Sequence, residues 1–83
     1  MGVELHPHAW ERLGERGTTE AEIIDTVLSG SPFPAKFGRT GFRKTFAYDA
    51  TWRGRMYAHK EVEAITVEIA TGTLVLTVIT RYF

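Results

Sequence analysis

The apolar residues of this 83-residue chain change their spacing once. Up to residue 30 they recur at helical intervals, and from Phe42 onward they recur every second residue. Such a chain makes helices first and a sheet afterwards. Pro7 and Gly17 bracket the first helical stretch. Proline's missing N–H costs nothing in a first turn, and glycine accepts the left-handed backbone just past a last one. The first helix is therefore expected over Pro7–Arg16, with Ala9, Trp10 and Leu13 toward the core. Thr19-Glu20-Ala21-Glu22 has the form of a capping box. It predicts a second helix over Glu20–Ser29, with Ile23, Ile24, Val27 and Leu28 as its apolar stripe. Gly30, Pro32 and Pro34 end that helix. The short connection makes the pair a helical hairpin.

The second half reads as strands. Ser31–Gly41, with two prolines and two glycines, is expected as a loop. Phe42–Tyr48 alternates, with Phe42, Phe46 and Tyr48 on one face. Asp49–Gly54 holds a turn, and Arg55–His59 is a second strand. Lys60–Glu63 is expected as a bulge or turn. Ala64–Ala70 is a third strand, with Ile65, Val67 and Ile69 on one face. Thr71-Gly72 turns the chain into Thr73–Tyr82, whose apolar residues on both faces suit a central strand. Val3–Leu5 is a short extended lead-in or edge strand. The expected fold is α+β: a helical hairpin on one face of a four-stranded, mostly antiparallel sheet, in the order (β)ααββββ. Residues 1–83 have room for one domain and one core.

Hydrophobic residues make up 43 % and charged residues 24 %, as in ordinary globular chains. No apolar run approaches the roughly 20 residues that span a bilayer, so no membrane is expected. Cysteine is absent, which excludes disulfides, thiolate zinc and a thiol nucleophile. With no basic-then-apolar leader at its start, the chain is expected in the cytoplasm. Net charge is zero, yet it is unevenly spread: −4 over residues 1–31, +6 over 32–60 and −2 over 61–83. The +6 block reads as an anion-binding surface or as a sheet face whose charges pair with acidic helices.

Several clusters bear on chemistry. His8, Arg12 and Arg16 follow one another at i, i+4, i+8 along helix 1. A cation beside His8 disfavours its protonation and keeps an acceptor at neutral pH; the bland alternative pairs the arginines with Glu11 and Glu15. His6, His8 and His59 are a weak metal set, because Pro7 suits a helix start better than a chelating strand. No metal and no cofactor are expected. Lys36, Arg39, Arg43 and Lys44 lie among Phe37 and Phe42, a mixture found on nucleic-acid surfaces, although both rings also suit a core beneath the loop. Tyr82, near the end of the expected central strand, has a phenol able to donate a proton or stack a base, or simply a buried ring with a wet hydroxyl. Lys60, at the expected irregularity, is aimed at the same rim or merely exposed. A lysine beside that phenol would lower its pKa.

Together, His8-Ala9-x-x-Arg12-x-x-x-Arg16-Gly17, the Glu20/Glu22-Ile23-Ile24 stretch and the Gly30-Ser31-Pro32 exit resemble the start of a small bacterial domain similar to RelE- and BrnT-type toxins of toxin–antitoxin systems. Lys36-Phe37-Gly38-Arg39, Phe42-Arg43-x-x-Phe46, Trp52-Arg53-Gly54, Tyr57-x-x-Lys60 and Val75 to Phe83 extend the resemblance over nearly the whole chain. The resemblance implies a RelE-like helical hairpin on an antiparallel sheet. It implies metal-independent RNA cleavage by cations and aromatics of the open sheet face, and a partner antitoxin that blocks it. In that reading Lys60, Arg39 and Tyr82 supply cations and acid/base groups, with His8 and Arg12 at the margin. Lys36, Arg39, Arg43 and Lys44 hold the RNA. The competing expectation is a non-enzymatic module whose uncovered sheet face forms a homodimer or binds a partner protein.

Overall fold

The computed structural model of the protein describes residues 2–83. Its elements follow the order β1 Gly2–Leu5, α1 Pro7–Arg16, α2 Glu20–Ser29, β2 Ser31–Pro34, a 3-10 turn Lys36–Gly38, β3 Thr40–Trp52, β4 Arg55–Ile69 and β5 Gly72–Tyr82. Both helices begin and end where their punctuation residues place them. His6 caps α1 by accepting the His8 backbone N–H on Nδ1 at 3.0 Å. Gly17 closes α1 in the left-handed region at φ 71°. Thr19 and Glu22 form the reciprocal box at the start of α2.

The strands form one five-stranded mixed sheet, ordered β1-β5-β4-β3-β2. β1 runs parallel to β5 and all other neighbours are antiparallel. The fold is thus α+β with two helices, but the sheet departs from expectation in three ways. Ser31–Pro34 is a strand inside the expected loop. It lies at the sheet edge and pairs only with β3, so Pro32 and Pro34 are tolerated where one side of a strand needs no donors. Arg55–His59 and Ala64–Ala70 are parts of a single strand, β4, which runs unbroken through Lys60–Glu63. β4, not β5, is therefore the central strand. The true irregularities lie elsewhere. Pairing steps from Ala47–His59 to Ala50–Tyr57, with Asp49 at φ 45° in the extra segment. It steps again from Ile65–Thr77 to Thr66–Val75, which leaves Leu76 as the extra residue of β5.

The helices cover one face. Leu5, Ala9, Ile23, Val27, Val62, Ala64, Val75 and Val78 form the buried core, with Val3, Leu13, Phe42 and Phe46 packed around it. Trp10 is not part of it: 48 % of its surface is exposed. The inward stripe of α1 runs Ala9, Leu13, Arg16, and Trp10 lies about 100° around the helix from Ala9. Leu28 is likewise exposed, because Ile23 and Val27 carry the inner stripe of α2. Phe37 is 85 % exposed in the 3-10 turn, so it closes no core, whereas Phe42 does. Along β4, Lys60, Val62, Ala64 and Thr66 point to the helices, leaving Glu61, Glu63, Ile65 and Val67 on the open face.

Candidate nucleic-acid interface

A helix leaves its last carbonyls without internal partners. At the end of α1 those carbonyls are met by side chains from β4, β5 and the turn between β3 and β4. The Tyr82 hydroxyl donates to the carbonyls of Arg16 at 2.9 Å and Gly17 at 3.2 Å. The Thr80 hydroxyl donates to the Arg16 carbonyl at 2.7 Å. Lys60 Nζ donates to the Gly17 carbonyl at 3.0 Å and to Glu22 Oε1 at 2.8 Å. Arg53 Nη2 reaches the Glu15 carbonyl at 2.9 Å. Two of these donors are cations, which suits the negative end of a helix dipole.

This ties both lead candidates into the scaffold. Lys60 and Tyr82 are direct partners across β4 and β5, so their expected proximity holds. Lys60, however, sits mid-strand with 4 % of its surface exposed, and its charge is spent on Glu22. It is not at an irregularity, and no substrate reaches its ammonium. Nor does it lower the Tyr82 pKa. Burial pushes that phenol above its ordinary value, with Tyr48 nearby adding to the rise. A phenol that donates to carbonyls and holds its proton is a clasp at neutral pH.

Around the clasp stands an aromatic cluster. The Tyr82 ring stacks on Trp52, with centroids 5.0 Å apart and planes 17° apart. Tyr48 meets it edge-on at 5.2 Å and Tyr57 tilts against it at 5.6 Å. Only glycine fits beneath at position 17, because a Cβ there would collide with the Tyr82 hydroxyl and the Trp52 ring. Arg53 lies over Trp52 at 5.1 Å and Arg55 over Tyr57 at 5.7 Å. A guanidinium over a ring can still turn N–H groups toward a phosphate. The Arg55 guanidinium makes no hydrogen bond among the described residues, while Arg53 gives Nη2 to the Glu15 carbonyl. Both arginines are exposed, and neither makes an ion pair among the described residues.

The remaining candidates are scattered. His8 is exposed on α1, and Arg12 pairs with Glu15 at 3.2 Å. His6 is spent on capping, while His59 stacks on Phe83 at 5.1 Å. No group of three His, Cys, Asp or Glu residues able to hold a metal occurs among the described residues. Arg43 lies on the open face, bonded to Glu63 at 2.8 Å, which raises its pKa. It also stacks over Phe33 at 4.5 Å. Lys44 points to the helix side and holds Asp25 at 2.6 Å, and that hydrogen bond lowers the Asp25 pKa. Lys36 and Arg39 are exposed at the 3-10 turn, with Arg39 over Phe37 at 5.4 Å. The four expected RNA-binding residues thus form no single patch. Strand β3 separates Lys36 and Arg39 from Arg53 and Arg55 by nearly its whole length. Trp52, Arg53 and Tyr57 belong to motifs of the resemblance but, like Arg55, are not among the expected site residues. Their signal was the run Trp-Arg-Gly-Arg-Met-Tyr, in which arginines and rings flank a hairpin glycine.

No protein-family model, no curated protein and no solved structure matches the chain. Fold and site define a small α+β domain whose mixed sheet carries an arginine-covered aromatic cluster at the free end of its longest hairpin. No helix among the described residues is long and apolar enough to cross a membrane.

Proposed function

We propose that the protein is an RNA-binding domain of the toxin type, RelE-like in outline and blocked by a partner antitoxin. One observation carries the binding: Arg53 and Arg55 lie on Trp52 and Tyr57 with no carboxylate to neutralise them. That arrangement offers cations to a phosphate backbone and ring edges to unpaired bases. The resemblance adds metal-independent cleavage, in which the 2′-hydroxyl attacks the adjacent phosphate. That step needs a base, an acid and cations at the phosphorane. Arg53 and Arg55 are the cations, and the cleavage itself, whose base and acid the cluster does not supply, rests on the resemblance alone; Lys60 and Tyr82 act as positioning residues, because they hold α1 against the cluster. The test is fluorescence anisotropy of a labelled 12-nucleotide oligouridylate across a salt series, with a gel read in excess chelator. Each phosphate contact contributes about 0.7 to the logarithmic salt slope for a single strand. Arg53→Ala and Arg55→Ala are each expected to remove about one contact. No binding at low salt would overturn the RNA reading, and binding with uncut RNA would overturn the cleavage.

A second reading rests on the open face. Ile65, Val67 and Leu74 lie there partly exposed beside Ile79, 44 % of whose surface is uncovered. Beside them Arg43 and Arg81 share Glu61 and Glu63, a network with no net charge. A second copy of the chain offers the same apolar strip and both signs of charge, which suits a two-fold homodimer. Sedimentation equilibrium decides this: a monomer at 100-fold below and above the working concentration removes it.

A further inference from the structure

The two edges of the sheet differ in what they offer a further strand. β2 carries Pro32 and Pro34 at alternate positions, and proline has no N–H to give. β1 is open. Its Gly2 N–H bonds the Thr71 carbonyl at 3.4 Å, and the His6 N–H just past it bonds the Val75 carbonyl at 2.9 Å, so the even-numbered residues face β5. Val3 and Leu5 alternate with them and direct their N–H and C=O groups away from β5, where no further strand lies. A groove of about 460 Å³ opens beside this edge on the helix face, lined by Val3, Ile24, Val27, Leu28 and Phe42. Leu28 on its wall is 73 % exposed. The groove exists because α1 begins beside Val75 and ends against Thr80 and Tyr82, so it does not extend over Gly72 and Thr73. The rim is acidic. Thr73, which lines the groove, donates to Glu68 at 2.9 Å, and Glu4 stands on β1 itself, on the face opposite Val3. Both carboxylates are exposed, and neither makes an ion pair among the described residues. No lysine or arginine lines the groove.

We infer that β1 is a docking edge for an extended segment of a partner protein, apolar on one face and basic on the other. Val3 and Leu5 supply its backbone bonds, its apolar side chains fill the groove, and its basic side chains meet Glu4. A second copy of the chain fits less well, because antiparallel pairing of two such edges sets one Glu4 against the other. The edge lies at the Gly72 end of β5, about 30 Å from Tyr82 along that 11-residue strand. A bound segment therefore leaves the aromatic cluster open, and the inference does not rest on the RNA reading.

The experiment titrates an octapeptide of alternating lysine and valine into the isotope-labelled protein and follows the backbone amides by NMR. The controls are a peptide of the same composition with its valines consecutive and an octapeptide of alternating glutamate and valine. The alternating lysine peptide is expected to shift the Val3 and Leu5 amides saturably and to slow their hydrogen exchange, with both controls weaker by about tenfold or more. Leu28→Lys, at an exposed position, is expected to keep the wild-type melting temperature and lose about tenfold in affinity for that peptide. Glu4→Lys is expected to reverse the preference between the lysine and glutamate peptides. No binding of the lysine peptide, equal binding of the controls, or shifts confined to the aromatic cluster overturn the inference. So does equal affinity in a folded Leu28→Lys. Slowed exchange at Val3 and Leu5 that grows with protein concentration in the absence of peptide gives the edge to a second copy and also overturns it. An unchanged preference in Glu4→Lys does the same, whether or not Leu28→Lys folds.

Discussion

Replacing Lys60 with methionine tests whether this residue is a clasp or a chemical group. Methionine keeps most of the buried stem and removes only the ammonium. Two bonds disappear, one to the Gly17 carbonyl and one to Glu22 Oε1. Breaking a buried ion pair by removing one partner commonly costs about 3–5 kcal/mol. Here the groups left behind are partly served. Gly17 still accepts from Tyr82, and Glu22 still accepts the Thr18 hydroxyl and the Thr19 N–H. Side-chain exposure is 5 % for Lys60 but 25 % for Glu22, so water reaches the orphaned carboxylate. The expected loss is therefore smaller, about 2–3 kcal/mol, or roughly 10–20 °C in melting temperature for a domain of this size. Urea unfolding followed by circular dichroism measures it. Glu22→Gln, alone and combined with Lys60→Met, isolates the pair, with an expected coupling on the order of 1 kcal/mol or more. A loss below about 1 kcal/mol, or coupling near zero, refutes the clasp. A Lys60→Met variant with full stability and no RNA binding would return the ammonium to the substrate.

Trp10→Ala is expected to cost less than about 1 kcal/mol in the same unfolding assay, because half of the side chain is already in water. A loss of 3 kcal/mol or more, the usual scale for a buried aromatic, would place Trp10 in the core. Tyr82→Phe removes the donor to Arg16 and Gly17 and is expected to cost about 1 kcal/mol at pH 7. Burial raises the folded phenol's pKa, so the proton is held in the folded state after the unfolded chain has lost it. Tyr82's contribution is therefore complete below about pH 10 and lost as pH rises through the folded value. Stability curves of wild type and Tyr82→Phe are expected to converge above about pH 10; parallel curves refute the assignment.

Helix boundaries were legible because their determinants are local. A proline in the first turn, a glycine past the last and a Thr-x-x-Glu box act on backbone within four residues. The same chain read alone divides β4 in two at Lys60-Glu61-Val62-Glu63, since three charges around one valine resemble a solvated turn. Only the folded chain supplies the partners that let those charges lie in a central strand: Glu22 for Lys60, and Arg43 and Arg81 for the two glutamates. Those partners lie 18 to 38 residues away in sequence, where no periodicity reports them. β2 is similar, for Pro32 and Pro34 argue against a strand until its place at the sheet edge is known. The clearest case is α1. Spacing alone puts Trp10 on the core side together with Ala9 and Leu13, since all three are apolar and lie within one side of the helix. The rotation that buries Ala9 and turns Arg16 inward is set by where β5 offers Thr80 and Tyr82 to the helix's last carbonyls. Sequence by itself determined which segments coil and that extended strands follow. Tertiary structure alone decided which charges are spent on the scaffold and which remain for a ligand, because a charge is neutralised by what lies near it in space.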